Sequence, residues 1–201
     1  MQPVSDNKGL YHSIASCTKC DLAGLRIKAV LPEGNPQAEI MIIAQSPGEV
    51  ENQTGRMFVG PSGKIFDELL DSAGVSRNDF YLTNLIKCML PKSRRPSRPQ
   101  WEACTPWLEE EIRIVSPRIV VPLGFQALKF LLIRAGMPRP PRKEYRFLFG
   151  KFIQTDDYLI YPLRHPTALL FNPAKRKVMT GNYSKLKKIV GGKVSNSRDL
   201  N

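Results

Sequence analysis

The chain has 201 residues, 42% of them hydrophobic, enough to bury a full core and most simply accommodated by one domain over residues 1–201. No apolar run approaches the roughly 20 residues needed to cross a bilayer, and no hydrophobic leader precedes the first cysteine; the expectation is a soluble, cytoplasmic protein with no targeting signal and no membrane partner. Thirty Lys and Arg against 18 Asp and Glu give a formal net charge of +12, which biases the chain toward polyanions because each cation set against a phosphate releases condensed counterions.

The first element met along the chain is Cys17-x2-Cys20, answered much later by Cys88 and Cys104, and these four are every cysteine present. Four thiolates drawn from distant segments suit a soft tetrahedral metal site, an iron–sulfur cluster or a structural zinc, and would staple the N-terminus to the middle of the fold. Two disulfides are the rival arrangement, disfavoured where thiols stay reduced. Between Ala38 and Ala44 the run AEIMIIA is short, apolar and β-branched, as a buried parallel strand should be, and similar runs recur at Phe80 to Leu82, Ile119 to Leu123 and Tyr158 to Leu163. Helical stripes separate them. Ile65, Phe66, Leu69, Leu70 and Ala73 share one face, with Ser62 as the expected N-cap and Gly74 as the stop; Trp101, Cys104, Leu108 and Ile112 form a second stripe, and Ala127, Leu128, Leu131, Leu132 and Ala135 a third that ends at Gly136. This alternation predicts a three-layer α/β/α sandwich around a mainly parallel sheet of about four strands, with ligands at the carboxyl ends of the strands. The segments Pro91 to Pro99 and Pro138 to Arg146 are rich in Pro and Arg and read as solvated loops, and the tail over residues 191–201 reads as frayed.

The loops after those strands carry the most specific pattern. AQSPGEVENQTGRMFVGPSGK (Ala44 to Lys64), TNLIKC (Thr83 to Cys88) and HPTALL (His165 to Leu170), together with the cysteine spacing, resemble the iron–sulfur uracil-DNA glycosylases of family 4, in order and spacing from Cys17 to about Leu170. The resemblance implies a monofunctional glycosylase that flips uracil out of DNA, hydrolyses its N-glycosidic bond and begins base excision repair, leaving an abasic site for downstream enzymes. It implies a structural [4Fe–4S] cluster, in preference to zinc, on Cys17, Cys20, Cys88 and Cys104, so that residues 17–20 and 88–104 form the cluster-binding element. It also implies that Phe58 stacks on the base, that Asn84 reads its O4 and N3–H edge, and that His165 donates to O2 as the base departs. The resemblance further implies that Pro47 and Gly48 join Gln45 in lining the base pocket.

The first motif departs from the family pattern, since Gln45 stands where a glutamate is usual and Ser46 where other uracil glycosylases have aspartate or asparagine. The expected water-positioning group is therefore Glu51 first and Glu49 second, with Gln45 and Ser46 as neutral contributors. The segment TGRMF also looks like family 5 enzymes, which accept a wider range of damaged bases, so hypoxanthine and xanthine stay open beside uracil. For DNA engagement, Leu169 or Leu170 is the expected apolar wedge into the groove, with Arg94, Arg95, Arg98, Lys175, Arg176 and Lys177 on phosphates. The expected state is a monomer associated with the nucleoid. Two other functions fit parts of the sequence: a catalytically weak damaged-DNA-binding module, from Gln45 and Ser46, and an iron–sulfur electron carrier, from the cysteines alone.

Overall fold

The computed structural model describes residues 3–91 and 95–192. Four parallel strands form the centre of one sheet, β2 (Ile40–Ala44), β3 (Tyr81–Asn84), β4 (Ile119–Pro122) and β6 (Leu159–Ile160), and two antiparallel edge strands, β1 (Glu33–Gly34) and β5 (Ile153–Gln154), complete the order β1-β3-β2-β4-β6-β5. The four runs picked out in the sequence are the four central strands. The edge strands are two residues each, too short to carry a period-2 signal. β6 is also shorter than its apolar run, because Pro162 cannot donate to the ladder, which resumes only as a bridge between Leu123 and Leu163.

Alternation along the strands splits the core in two. Ile40, Ile42, Ala44, Leu82 and Val121 face a layer built from α3 (Pro61–Ala73), α7 (Arg176–Tyr183) and α8 (Leu186–Val190). Met41, Ile43, Tyr81, Val120 and Ile160 face the opposite layer, built from α4 (Arg98–Val115) and α5 (Phe125–Arg134). This is the three-layer arrangement expected. α1 (Pro3–Ala15) packs outside α4 through Leu10 and Ile14, and the Tyr11 hydroxyl donates to that of Tyr81 at 3.2 Å. Two short helices, α2 (Glu49–Thr54) and α6 (Thr167–Phe171), lie directly after β2 and β6.

The predicted N-cap of α3 is displaced. Gly60, not Ser62, occupies that position, because Pro61 at the first helical residue has φ fixed in the helical range and lacks an N–H to satisfy. α4 starts where a capping box closes on it: the Ser97 hydroxyl accepts from the Gln100 N–H, and the Gln100 side chain accepts from the Ser97 N–H at 2.9 Å. Arg176 and Lys177 lie on α7 and Lys187 and Lys188 on α8, while the tail expected to fray lies outside the described residues from residue 193 on. Among the described residues no helix is long and apolar enough to cross a membrane.

Candidate active site

Parallel pairing brings the strand ends level: Ala44 is opposite Asn84, and Ile43 opposite Pro122. β2 leads leftward to β3 and β4 rightward to β6, so the topology reverses between β2 and β4, the place where open α/β sheets leave a crevice. A cleft of about 810 Å³ opens there, lined by Gln45, Ser46, Pro47, Gly48, Phe58 and Asn84 on one side and by Gly124, Tyr145 and His165 on the other. The expected aromatic, amide and imidazole thus share one cavity.

Phe58 is held firmly. It has a left-handed φ of 51°, and its carbonyl accepts from Arg77 Nη2 at 2.6 Å while the Met57 carbonyl accepts from Nη1 at 2.9 Å. Arg77 is itself fixed by Asp67, with Nε 2.7 Å from Oδ1. A Cβ at Gly63 would sit 1.8 Å from the Phe58 oxygen, so only glycine lets α3 approach this turn. The Phe58 ring stacks on Phe66 with centroids 4.5 Å apart, and Phe66 in turn backs it away from the cleft. His165 lies 6.1 Å from the Phe58 ring, tilted by 34°.

Asn84 is buried at the end of β3, and its amide donates to the Met57 thioether at 3.0 Å. Sulfur is a weak acceptor, so this contact orients the amide without occupying it as a carbonyl would. His165 Nδ1 accepts the Thr167 backbone N–H at 3.2 Å and lies 2.8 Å from the Thr167 hydroxyl. An Nδ1 that accepts leaves the proton of the neutral ring on Nε2, available as a donor. Burial pushes the pKa of His165 down to about 4, so the ring is neutral at physiological pH. The preceding turn is pinned by α7, whose Tyr183 hydroxyl donates to the Arg164 carbonyl at 2.9 Å.

Glu51 and Glu49 line the same cleft but differ in environment. Glu51 is 6% exposed, and its Oε1 accepts the N–H groups of Val59 and Gly60 at 3.0 and 2.8 Å, tying α2 to the Phe58 turn. Its Oε2 faces Gly48, where a Cβ would lie 2.6 Å away. Glu49 is exposed, and Gln53 Nε2 donates to it at 3.4 Å along the helix.

The residues expected to face the DNA groove differ in exposure. Leu169 is 4% exposed and packs in the core against the α3 layer, because the first turn of α6 folds back onto the sheet; it is not free to act as a wedge. Leu170 is 48% exposed and its neighbour Phe171, which no sequence motif marks, 88% exposed. Arg95 lines the cleft, whereas Arg98 is exposed and paired with Glu102 at 2.7 Å. Arg94 lies outside the described residues. Lys175 is half-buried, Lys177 exposed, and Arg176 pairs with Glu68 at 3.0 Å. The segment Pro138 to Arg146, expected to be solvated loop, instead delivers buried Tyr145 onto Phe125, with ring centroids 4.6 Å apart, and brings Arg142 and Arg146 to the cleft rim. Interleaved Arg and Pro masked that tyrosine.

The four cysteines, none in a disulfide, line one small cavity with Ile14, Leu22, Ile86 and Trp107. Arg26 Nη1 donates to Cys88 Sγ at 3.4 Å, and the Lys87 N–H donates to Cys104 Sγ at 3.3 Å. Burial pushes the Cys88 thiol up and the Cys104 thiol up to about 11. Donors aimed at sulfur in an apolar shell suit thiolates bound to a soft metal. Among the described residues no three His, Cys, Asp or Glu side chains come close enough together to grip a single metal ion.

A family model described as the uracil DNA glycosylase superfamily matches residues 31–187, and the chain belongs to that superfamily. Within it the chain falls in family 4: it is 37% identical to a Type-4 uracil-DNA glycosylase of Saccharolobus solfataricus over 90% of this chain and 84% of that one, and 32% identical to a Type-4 enzyme of Archaeoglobus fulgidus over 92% and 93%. A Type-5 uracil-DNA glycosylase of Pyrobaculum aerophilum is 30% identical over 76% of this chain and 72% of its own.

Proposed function

We infer that this protein is a monofunctional DNA glycosylase that removes uracil from DNA by hydrolysis of the N-glycosidic bond. The observation that carries the reading is the convergence of Phe58, Asn84 and His165 on one cleft at the ends of the parallel strands. A base is unreachable inside the duplex, so it is extruded into this cleft at a cost of a few kcal/mol. Phe58, backed by Phe66, stacks on the pyrimidine, and base–aromatic stacking of this kind contributes about 1–3 kcal/mol. Asn84 both donates and accepts, which matches the N3–H and O4 edge of uracil. As the bond between N1 and C1′ breaks, electrons pass to the base and charge grows on O2, where the His165 Nε2–H serves as donor. A neutral imidazole suits this role, because it stabilises the anion without first giving up a proton of its own.

Water completes the reaction: its oxygen bonds to C1′ and its surplus proton passes to solvent, while uracil leaves with the electron pair of the broken bond. Glu51 Oε2 orients the water, a role supported by its position beside Gly48 while Oε1 holds two backbone N–H groups; Gln45 and Ser46 border the same cleft. Glu49, exposed on the rim, is the weaker candidate. Leu170 and Phe171 on the exposed face of α6 are the wedge, and Arg95, Arg142, Arg146, Lys175 and Lys177 meet phosphates.

Cys17, Cys20, Cys88 and Cys104, which line one cavity where Arg26 and the Lys87 N–H donate to two of the sulfurs, would hold a [4Fe–4S] cluster, the group that the family resemblance favours over zinc for four thiolates. Bound there, the cluster would supply cross-linking between the segment that follows α1, the Asn84–Cys88 loop and α4, and no redox step, since hydrolysis changes no oxidation state. The reading is tested by incubating the protein with oligonucleotides carrying uracil, hypoxanthine or xanthine. Alkali-labile sites at uracil are expected; tight binding to all three with no product would establish a binding module instead.

A further inference from the structure

Beneath the cleft lies a charged group that the glycosylase chemistry does not use. Lys87 is 2% exposed, and its ammonium has three protons, all engaged: Thr83 Oγ1 at 2.7 Å, the Asn84 carbonyl at 2.8 Å and Glu111 Oε2 at 2.8 Å. The Thr83 hydroxyl in turn donates to Glu111 Oε2 at 2.6 Å, and Glu111 Oε1, 2.7 Å from Lys87 Nζ, has no hydrogen bond of its own. Thr83 and Asn84 are on β3 and Glu111 on α4, so the ammonium joins the strand end to the helix behind it. The same residue's backbone N–H donates to Cys104 Sγ.

We propose that Lys87 is a positioning residue, whose ammonium fixes the Asn84 peptide, and with it the base-reading carboxamide, against the Glu111 carboxylate of α4. The inference rests on the reading of Asn84 given above and deepens it. Asn84 ends its strand, so its carbonyl has no further ladder partner, and the Lys87 side chain curls back three residues to satisfy it. An ion pair withdrawn from water is a poor source of stability, since apolar pairs of like volume commonly do as well or better. Three charge-assisted hydrogen bonds of fixed direction, by contrast, define where a carbonyl points. A carboxamide that discriminates by hydrogen bonding depends on that definition, because a shift of about 1 Å from productive geometry is costly.

The test uses the full chain with the paired substitution Lys87→Met and Glu111→Leu, which removes both charges, and Lys87→Met alone, compared with the unsubstituted protein. Rate is read on a uracil oligonucleotide, and affinity on the same oligonucleotide carrying a tetrahydrofuran abasic-site analogue, which presents no base to Asn84. The paired variant is expected to melt within a few degrees of the parent and keep its affinity for the analogue within twofold, while kcat/KM on uracil falls at least tenfold; the single variant should lose at least as much. Unchanged rates would overturn the proposal, as would affinity for the analogue falling in step with rate. A paired variant that does not fold would also overturn it, because the pair would then serve stability. Should the unsubstituted protein itself leave uracil untouched, the glycosylase reading fails first and this inference with it.

Discussion

His165 shows how a single side chain is tuned by its neighbours. Because its Nδ1 accepts from Thr167, and because burial lowers its pKa from an ordinary 6.5 to about 4, the ring is neutral at physiological pH with its proton on Nε2, the atom that donates to uracil O2 in the proposed mechanism. The glycosylase rate should therefore show no protonation step assignable to His165 between pH 8 and pH 5, and its dependence should be read from a pH profile of kcat on a uracil oligonucleotide. Stability follows the same residue in a definite direction. Between about pH 6.5 and pH 4 the unfolded chain binds a proton that the folded one refuses, so the contribution of neutral His165 is complete above that window and is lost as pH falls through it. The half-buried ring reaches water through the cleft, which makes the loss smaller than full burial would give. His165→Ala should lower kcat by about 10²–10³, the usual effect of removing one donor from a developing oxyanion, with melting temperature little changed. The sequence pointed to this histidine through HPT, but its neutral state was not legible, since desolvation arises from residues distant in the chain. Lys87 was illegible for the same reason: nothing local marks a lysine in TNLIKC as buried, and its partner Glu111 is contributed by another element.

At the scale of elements, the turn between α2 and α3 is where geometry is least forgiving. Phe58 at positive φ, Glu51 bracing the next two N–H groups, Arg77 clamping two carbonyls and Gly63 admitting the helix form one interlocked unit. Gly63→Ala places a methyl group inside the Phe58 carbonyl, and neither α3 nor the turn can yield without moving the aromatic plate. It should cost about 1–3 kcal/mol, the usual effect of overpacking, seen as a lower melting temperature, and should reduce activity more than stability alone explains. The three helical stripes were legible because each repeats its period over several residues, and the central strands because burial on both faces makes them continuous apolar runs. The edge strands, α2 and α6 were not, being too short to show one, and Leu169 and Leu170 were indistinguishable until α6 assigned one to the core and the other to solvent.

The whole molecule combines a net charge of +12 with a cleft whose rim carries Arg95, Arg142 and Arg146. Affinity for DNA should fall linearly on a logarithmic salt scale, and removing Arg142 and Arg146 together should reduce the slope by about 2, one per phosphate contact, measured by titration between 50 and 200 mM salt. In the proposed mechanism both layers of the sandwich take part, one by supporting Phe58 through α3 and the other by supplying Cys104 and Glu111 from α4. Those last two positions stand seven residues apart on one continuous helix, close to two full turns, and so point the same way along a rod with about 10 Å between them. One face of that rod is thereby committed twice. A single residue inserted between Cys104 and Glu111 would rotate one anchor by about 100° relative to the other, and no local adjustment could serve both sulfur and carboxylate; an insertion beyond Glu111 leaves their phase intact. The helix thus behaves as a ruler whose two marks must be kept in register.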